Sequence, residues 1–198
     1  MIVSSEETAS SHIKDFALIR NTSTAYGSVT IALHWLMALL MFSLFAVGLY
    51  MTDLGYYDSL YHILPWWHKS IGLLVMGLLL FRIIWKVSNP KPTALPTHKP
   101  WEVTLATWIH RVLYLLIFLI GISGYLISTA KGKGIEFFDW FEVPAFLELS
   151  ADATDLVGEI HFYLAWSLIL LAVAHAAAAL KHHFIDRDDT LKHMTFRK

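Results

Sequence analysis

Apolar positions in this chain gather into four long blocks. Residues 21–52 hold no charged side chain, and their apolar core from Val29 to Met51 is long enough to cross a bilayer as a helix. A second block runs from Trp67 to Trp85, a third from Thr104 to Thr129, and a fourth occupies 160–180 without any Asp, Glu, Lys or Arg. The pattern predicts four membrane-spanning helices, with the first starting near Ser28 and Thr30, residues that suit a helix N-terminus. Between them, 52–67 reads as a loop containing Asp53, Gly55, Asp58, His62 and Pro65. The connection KVSNPKPTALPTHKP, with four prolines, excludes a continuous helix. Residues 131–158 mix aromatics with acids in FFDWFEVPAFLEL, and read as an interfacial piece lying on the membrane rather than crossing it. The organisation expected is a polar N-terminal tail (1–26), a four-helix transmembrane domain (27–184) and a C-terminal tail (185–198).

Composition agrees: 56% of residues are hydrophobic, above the usual share for soluble domains. Net charge is −1, which gives no electrostatic case for nucleic acid. The chain has no cysteine, which removes disulfides, thiolate metal sites, iron–sulfur clusters and covalent haem attachment. Its start lacks the basic region and short apolar core of a cleaved signal peptide. Twelve of the fifteen Lys and Arg fall in 1–20, 82–111 and the C-terminal tail; Lys69, Lys131 and Lys133 occupy the opposite side. The positive-inside rule therefore predicts that both termini are cytoplasmic.

Eleven histidines carry the candidate chemistry. Ionisable side chains within a span are costly, and mark function by default. His161 and His175 sit in the fourth span, fourteen residues apart. Fourteen helical steps return to within roughly 40° of one face and rise about 21 Å. The topology gives each other histidine a depth: His34 at the cytoplasmic start of span one, His68 at the outer start of span two. Same-depth partners are then His68 with His161 and His34 with His175. Two such pairs of neutral imidazoles suit two bis-histidine haems, whose closed irons favour electron transfer over oxygen chemistry.

The fourteen-residue step recurs: His34 leads to Gly48, His68 to Arg82 and His110 to Gly124. Glycine admits a flat macrocycle to the backbone, and Arg82 can pair with a propionate. Plainer roles stand beside these. An intramembrane histidine can hydrogen-bond a neighbouring helix, and glycines can serve helix packing. Arg82 and Arg111 can snorkel, and tryptophans such as Trp66, Trp85 and Trp108 fit an aromatic belt. Zinc prefers clustered tetrahedral ligands, which two pairs about 21 Å apart do not provide.

The segments ALHWLMALLMF, WHKSIGLLVMGLLLFRIIW, IHRVLYLLIFLIGISGYLIS, EIHFYLAW and AHAAAALKHHFIDRDDTLKHM resemble the bacterial cytochrome b561 family, which is related to the cytochrome b subunits of nickel–iron hydrogenases. The resemblance covers nearly all of 28–198. It implies an all-α membrane protein, a four-transmembrane-helix bundle of the bacterial inner membrane enclosing two b-type haems, with His34, His68, His161 and His175 as ligands. It also implies superoxide oxidation coupled to ubiquinone reduction, with electrons entering at the outer haem and leaving to quinone at the cytoplasmic face. His182 matches the family's quinone-site histidine, and Lys99 is its candidate neighbour; a solvated rim is the plainer role for both. One departure counts against superoxide: residues 131–159 carry two lysines against seven acids, Glu136, Asp139, Glu142, Glu148, Asp152, Asp155 and Glu159. An acidic mouth repels an anion and suits a basic redox partner instead. Lys69, beside His68, is a local exception. The expectation is a diheme b-type cytochrome linking a periplasmic donor to the quinone pool, with superoxide:ubiquinone oxidoreductase as the specific alternative and a haem-free assembly or transport bundle as the second.

Overall fold

The computed structural model describes residues 19–195. Four helices carry the fold: α1 (Ser28–Thr52), α2 (Ile63–Val87), α3 (Pro100–Thr129) and α4 (Ala151–Phe184). All four are long and apolar enough to span a membrane. In each, 17% or less of the most apolar window is buried inside the protein, so the apolar side chains face outward, as lipid-facing helices require. The internal core is correspondingly thin: Met37 and Leu44 of α1 against Val75 and Leu79 of α2, flanked by Tyr114 and Ile117 of α3. α1 packs along α2 and α3 along α4, while α1 and α4 approach each other sparsely.

The helix starts differ from expectation at three places: α2, α4, and α3, which begins at Pro100 rather than near Thr104. α2 begins at Ile63 rather than near Trp67, with Pro65 in its first turn. Proline fits there because the first four N–H groups of a helix have no partner within it. α4 begins at Ala151, nine residues before the uncharged run. Ser150 caps it, its Oγ accepting from the Ala153 N–H at 3.3 Å, and Asp152 in the first turn faces the positive end of the helix dipole.

The aromatic–acidic connection between α3 and α4 does not cross, and it holds a two-stranded antiparallel hairpin: β1 (Ile135–Phe137) and β2 (Phe141–Val143). Phe138 and Asp139 adopt positive φ at its tip. The hairpin is tied to α2 by Ser70, whose Oγ donates to the Glu136 carbonyl (3.2 Å) and accepts from the Phe138 N–H (3.3 Å). Trp66 Nε1 donates to Asp139 Oδ1 at 3.2 Å.

At the opposite end the described part of the N-terminal segment is folded against the proline-rich connection, not loose. Arg20 donates to Asn89 Oδ1 (3.3 Å) and to the Ser88 carbonyl (3.1 Å), and the Thr93 N–H donates to the Ser23 carbonyl (2.9 Å). Asn21 Oδ1 accepts from the Gly27 N–H (3.0 Å) and the Thr30 hydroxyl (2.7 Å), fixing the entry to α1. The C-terminal segment returns to this end, where Trp35 Nε1 donates to the Met194 carbonyl at 2.6 Å. The bundle thus has a hairpin end and a terminal end. Residues 1–18, with Lys14, and Arg197 and Lys198 lie outside the described residues.

Candidate redox centre

At the hairpin end, α2 presents His68 and α4 presents His161. Their ring centres are 6.4 Å apart with planes inclined at 67°. At the terminal end, α1 presents His34 and α4 presents His175, again 6.4 Å apart at 67°. The four histidines meet two by two, in the combinations that the depth argument expects. Both pairs bridge helices whose backbones pack little against each other, so each pair spans a gap rather than a tight seam.

The glycines meet the hairpin-end pair. A Cβ on Gly48 would lie 3.3 Å from His68 Cε1, and one on Gly124 would lie 3.1 Å from His161 Cε1. His161 Nδ1 is held by the Ile120 carbonyl (3.1 Å) and Ser123 Oγ (3.0 Å). The carbonyl accepts only, so Nδ1 carries the proton and Nε2 offers a lone pair. The Nδ1 of His68 is buried without a hydrogen-bond partner among the described residues.

Arg82 of α2 is at the terminal end, its Nη2 3.2 Å from His34 Nδ1. Arg82 and Lys86 both lie over the Tyr114 ring, at 5.5 and 4.7 Å from its centre. Beside them, burial raises the Tyr26 phenol above its usual value, the neighbouring Tyr114 adds to this, and Arg82 opposes it. His110 of α3 is a member of this group that the sequence reading used only as the start of a spacing. Its ring centre is 5.0 Å from that of His175. Its depth, at the cytoplasmic start of its span like His34, was the available signal.

His182 sits beyond His175 on α4, with Nδ1 2.8 Å from Asp186 Oδ2 and 3.6 Å from Asp188 Oδ2. Its ring neighbour is His98, at 4.9 Å between centres, rather than Lys99. Lys99 is exposed at the start of α3, its backbone N–H bonded to Glu102 Oε2 at 2.8 Å. Burial pushes the Asp188 carboxyl up. The Thr190 hydroxyl and N–H, with the charges of His98 and His182, outweigh that and hold it below the usual carboxylate range.

The prokaryotic cytochrome b561 family model matches residues 25–197. The chain belongs to the prokaryotic cytochrome b561 family. Among its relatives, cytochrome b561 homolog 2 of Escherichia coli (strain K12) is 52% identical over 174 residues, covering 88% of this chain and 93% of that protein. Cytochrome b561 homolog 1 of the same organism is 28% identical over 176 residues, 87% of this chain and 98% of the relative. The probable superoxide oxidase CybB of Yersinia pestis is 30% identical over 177 residues, 87% of this chain and 97% of the relative. Membership implies b-type haem and membrane electron transfer, and four spanning helices in a prokaryotic cytochrome b561 point to the bacterial inner membrane. The hairpin with its flanks remains the acidic surface that the sequence describes, with Lys69 and Lys133 as local cations. Those two lysines line a cavity of about 390 Å³ with Trp66, Ser128, Gly134, Glu136 and Glu142.

Proposed function

We propose that this cytochrome b561 carries electrons between a periplasmic donor and the quinone pool through two haems b, held by His68 with His161 and by His34 with His175. The observation that carries the reading is the spacing of the two pairs. Two imidazoles that hold one ion from opposite sides through bonds of about 2 Å would have ring centres roughly 6 Å apart, against roughly 5 Å at a tetrahedral angle. Both pairs stand at 6.4 Å, whereas His110 and His175, at 5.0 Å, are too close to hold an iron from opposite sides.

The donor chemistry fits. His161 has the tautomer a ligand needs, its Nδ1–H anchored by a carbonyl, so its basic Nε2 is available. Gly48 and Gly124 leave the ring edges of His68 and His161 uncovered. Arg82 can only donate, so its contact with His34 Nδ1 and ligation through His34 Nε2 exclude each other. Were haem held there, the Arg82 guanidinium would be free to pair with a propionate. His110 is then a nearby polar group rather than a ligand. Haem b supplies one-electron chemistry at each site. The chain's own part would be to hold the rings as ligands and to move protons at the quinone.

For the quinone we assign His182 at the terminal end, placed on the cytoplasmic side by the Lys and Arg distribution. Asp186 engages His182 Nδ1, which leaves Nε2 to hydrogen-bond a quinone carbonyl and donate a proton as it is reduced. Lys99, next in the chain to His98, would supply positive charge to the developing anion.

The test is haem stoichiometry. Protein from haem-replete cells should show a reduced b-type spectrum with about two haems per chain. His34→Ala and His175→Ala should each remove the same haem, and His68→Ala and His161→Ala the other. Loss of one shared haem in His34→Ala and His68→Ala, or a folded colourless protein, would refute the pairing.

A second reading, superoxide:ubiquinone oxidoreductase, is favoured by Lys69 and Lys133 in the cavity near His68 and by the similarity to the probable superoxide oxidase of Yersinia pestis. Superoxide should then reduce the haem rapidly, with a rate lowered by salt and by Lys69→Glu. Indifference to both would favour the acidic-mouth reading, in which a basic protein is the donor.

A further inference from the structure

Where the C-terminal segment folds back on the start of α3, three metal-ligating side chains converge from two distant stretches. His98 Nε2, His182 and Asp188 bring their ligand atoms within 4.8 Å of one another. A tetrahedral ion with bonds of about 2.0–2.1 Å holds its ligand atoms about 3.3 Å apart. Two edges of this triangle already have nearly that length: 3.1 Å from His98 Nε2 to Asp188 Oδ2, and 3.6 Å from His182 Nδ1 to Asp188 Oδ2. The Asp188 side chain is 4% exposed, so its carboxylate is withdrawn from water and needs cationic company.

The backbone is bent to make this cluster. Arg187 stands at φ +56°, a left-handed position that is strained for a non-glycine residue and persists only where the surroundings enforce it. That turn aims both flanking carboxylates at His182. The Thr190 N–H donates to the other oxygen of Asp188, Oδ1, at 2.9 Å, and so orients Oδ2 toward the imidazoles.

We infer that His98, His182 and Asp188 bind a divalent transition-metal ion, for which zinc is the best match. Two imidazole nitrogens and one carboxylate oxygen form a mixed N/O set, and the fourth position falls to water or to Asp186. The ion would staple the C-terminal segment to the start of α3 and fix the tautomer of His182. It does not depend on His182 serving a quinone. The rival is a hydrogen-bonded carboxylate lying between two histidines, with no metal.

The experiment uses the haem-loaded protein in detergent, stripped by a chelator and titrated with Zn²⁺ against a competing chromophoric chelator. One tight equivalent is expected. His98→Gln and Asp188→Asn should each weaken it at least about tenfold, while His62→Ala, at the hairpin end, should leave it unchanged. The haem spectrum of each variant reports its folding. X-ray absorption of the zinc-loaded wild type should show N/O ligation with two imidazoles, whatever the fate of the variants. No tight equivalent in the wild type, undiminished binding in Asp188→Asn, or a coordination shell without two imidazoles would overturn the site.

Discussion

Replacing Gly124 with alanine puts a methyl group 3.1 Å from Cε1 and 3.5 Å from Nδ1 of His161. The ring cannot swing away freely, because its Nδ1 is held by both Ile120 and Ser123. Two costs follow: about 0.5–1.5 kcal/mol for forcing the side chain off its rotamer, and about 0.5–1.5 kcal/mol for the weakened hydrogen bond. Against them stands a gain of about 1 kcal/mol for alanine over glycine inside a helix. The net result ranges from neutral to about 2 kcal/mol of destabilisation. Gly77→Ala is the control, since nothing among the described residues lies within 4 Å of its new methyl group, and it should show only the helix gain. Thermal melts in detergent should therefore separate the two variants by about 1–3 kcal/mol. The haem count should separate them further. Gly124→Ala should bind the hairpin-end haem more weakly and keep the other. Gly48→Ala should have a milder effect, because His68 Nδ1 has no partner anchoring it among the described residues. If Gly124→Ala melts like Gly77→Ala and keeps both haems, the cradle reasoning is wrong.

Asn21→Ala should cost about 1–2 kcal/mol in a detergent melt, because one side-chain oxygen serves both the Gly27 N–H and the Thr30 hydroxyl at the entry to α1. Tyr26 is raised above its ordinary 10.0 by burial, so its neutral form is the one the fold favours. Its contribution should be complete below pH 10 and disappear as the pH rises through the higher folded value; an ultraviolet titration of Tyr26→Phe against the wild type should lack the latest phenolate. Arg82→Gln should lower the reduction potential of the terminal-end haem and leave the other unmoved in a redox titration, since a cation beside His34 favours the electron-richer form.

The spans and the histidine partners were readable from the residues because both rest on long-range regularities: uncharged runs of bilayer length, and a fourteen-residue return to one helix face. The hairpin was not readable. Its strands are three residues long, too short for alternation to show, and its turn places Phe138 and Asp139 at positive φ without a glycine to announce it. The start of α4 was hidden by its acids, which look like loop, although Ser150 followed by Asp152 is a helix-start signal. His98 escaped notice because it stands eighty-four residues from His182, and only the fold-back of the C-terminal segment brings them together.

α4 supplies a ring to both pairs, and this makes it a common ruler. Since the two imidazoles share one rigid rod, their separation of about 21 Å is set by helix pitch and not by loops or neighbouring helices. A single residue inserted between Trp166 and Ala174 would rotate one ring by about 100° relative to the other. Whichever half of the rod kept its seat, the other pair would fall out of phase. The spacing between the two imidazole levels is therefore fixed by the pitch of a single helix.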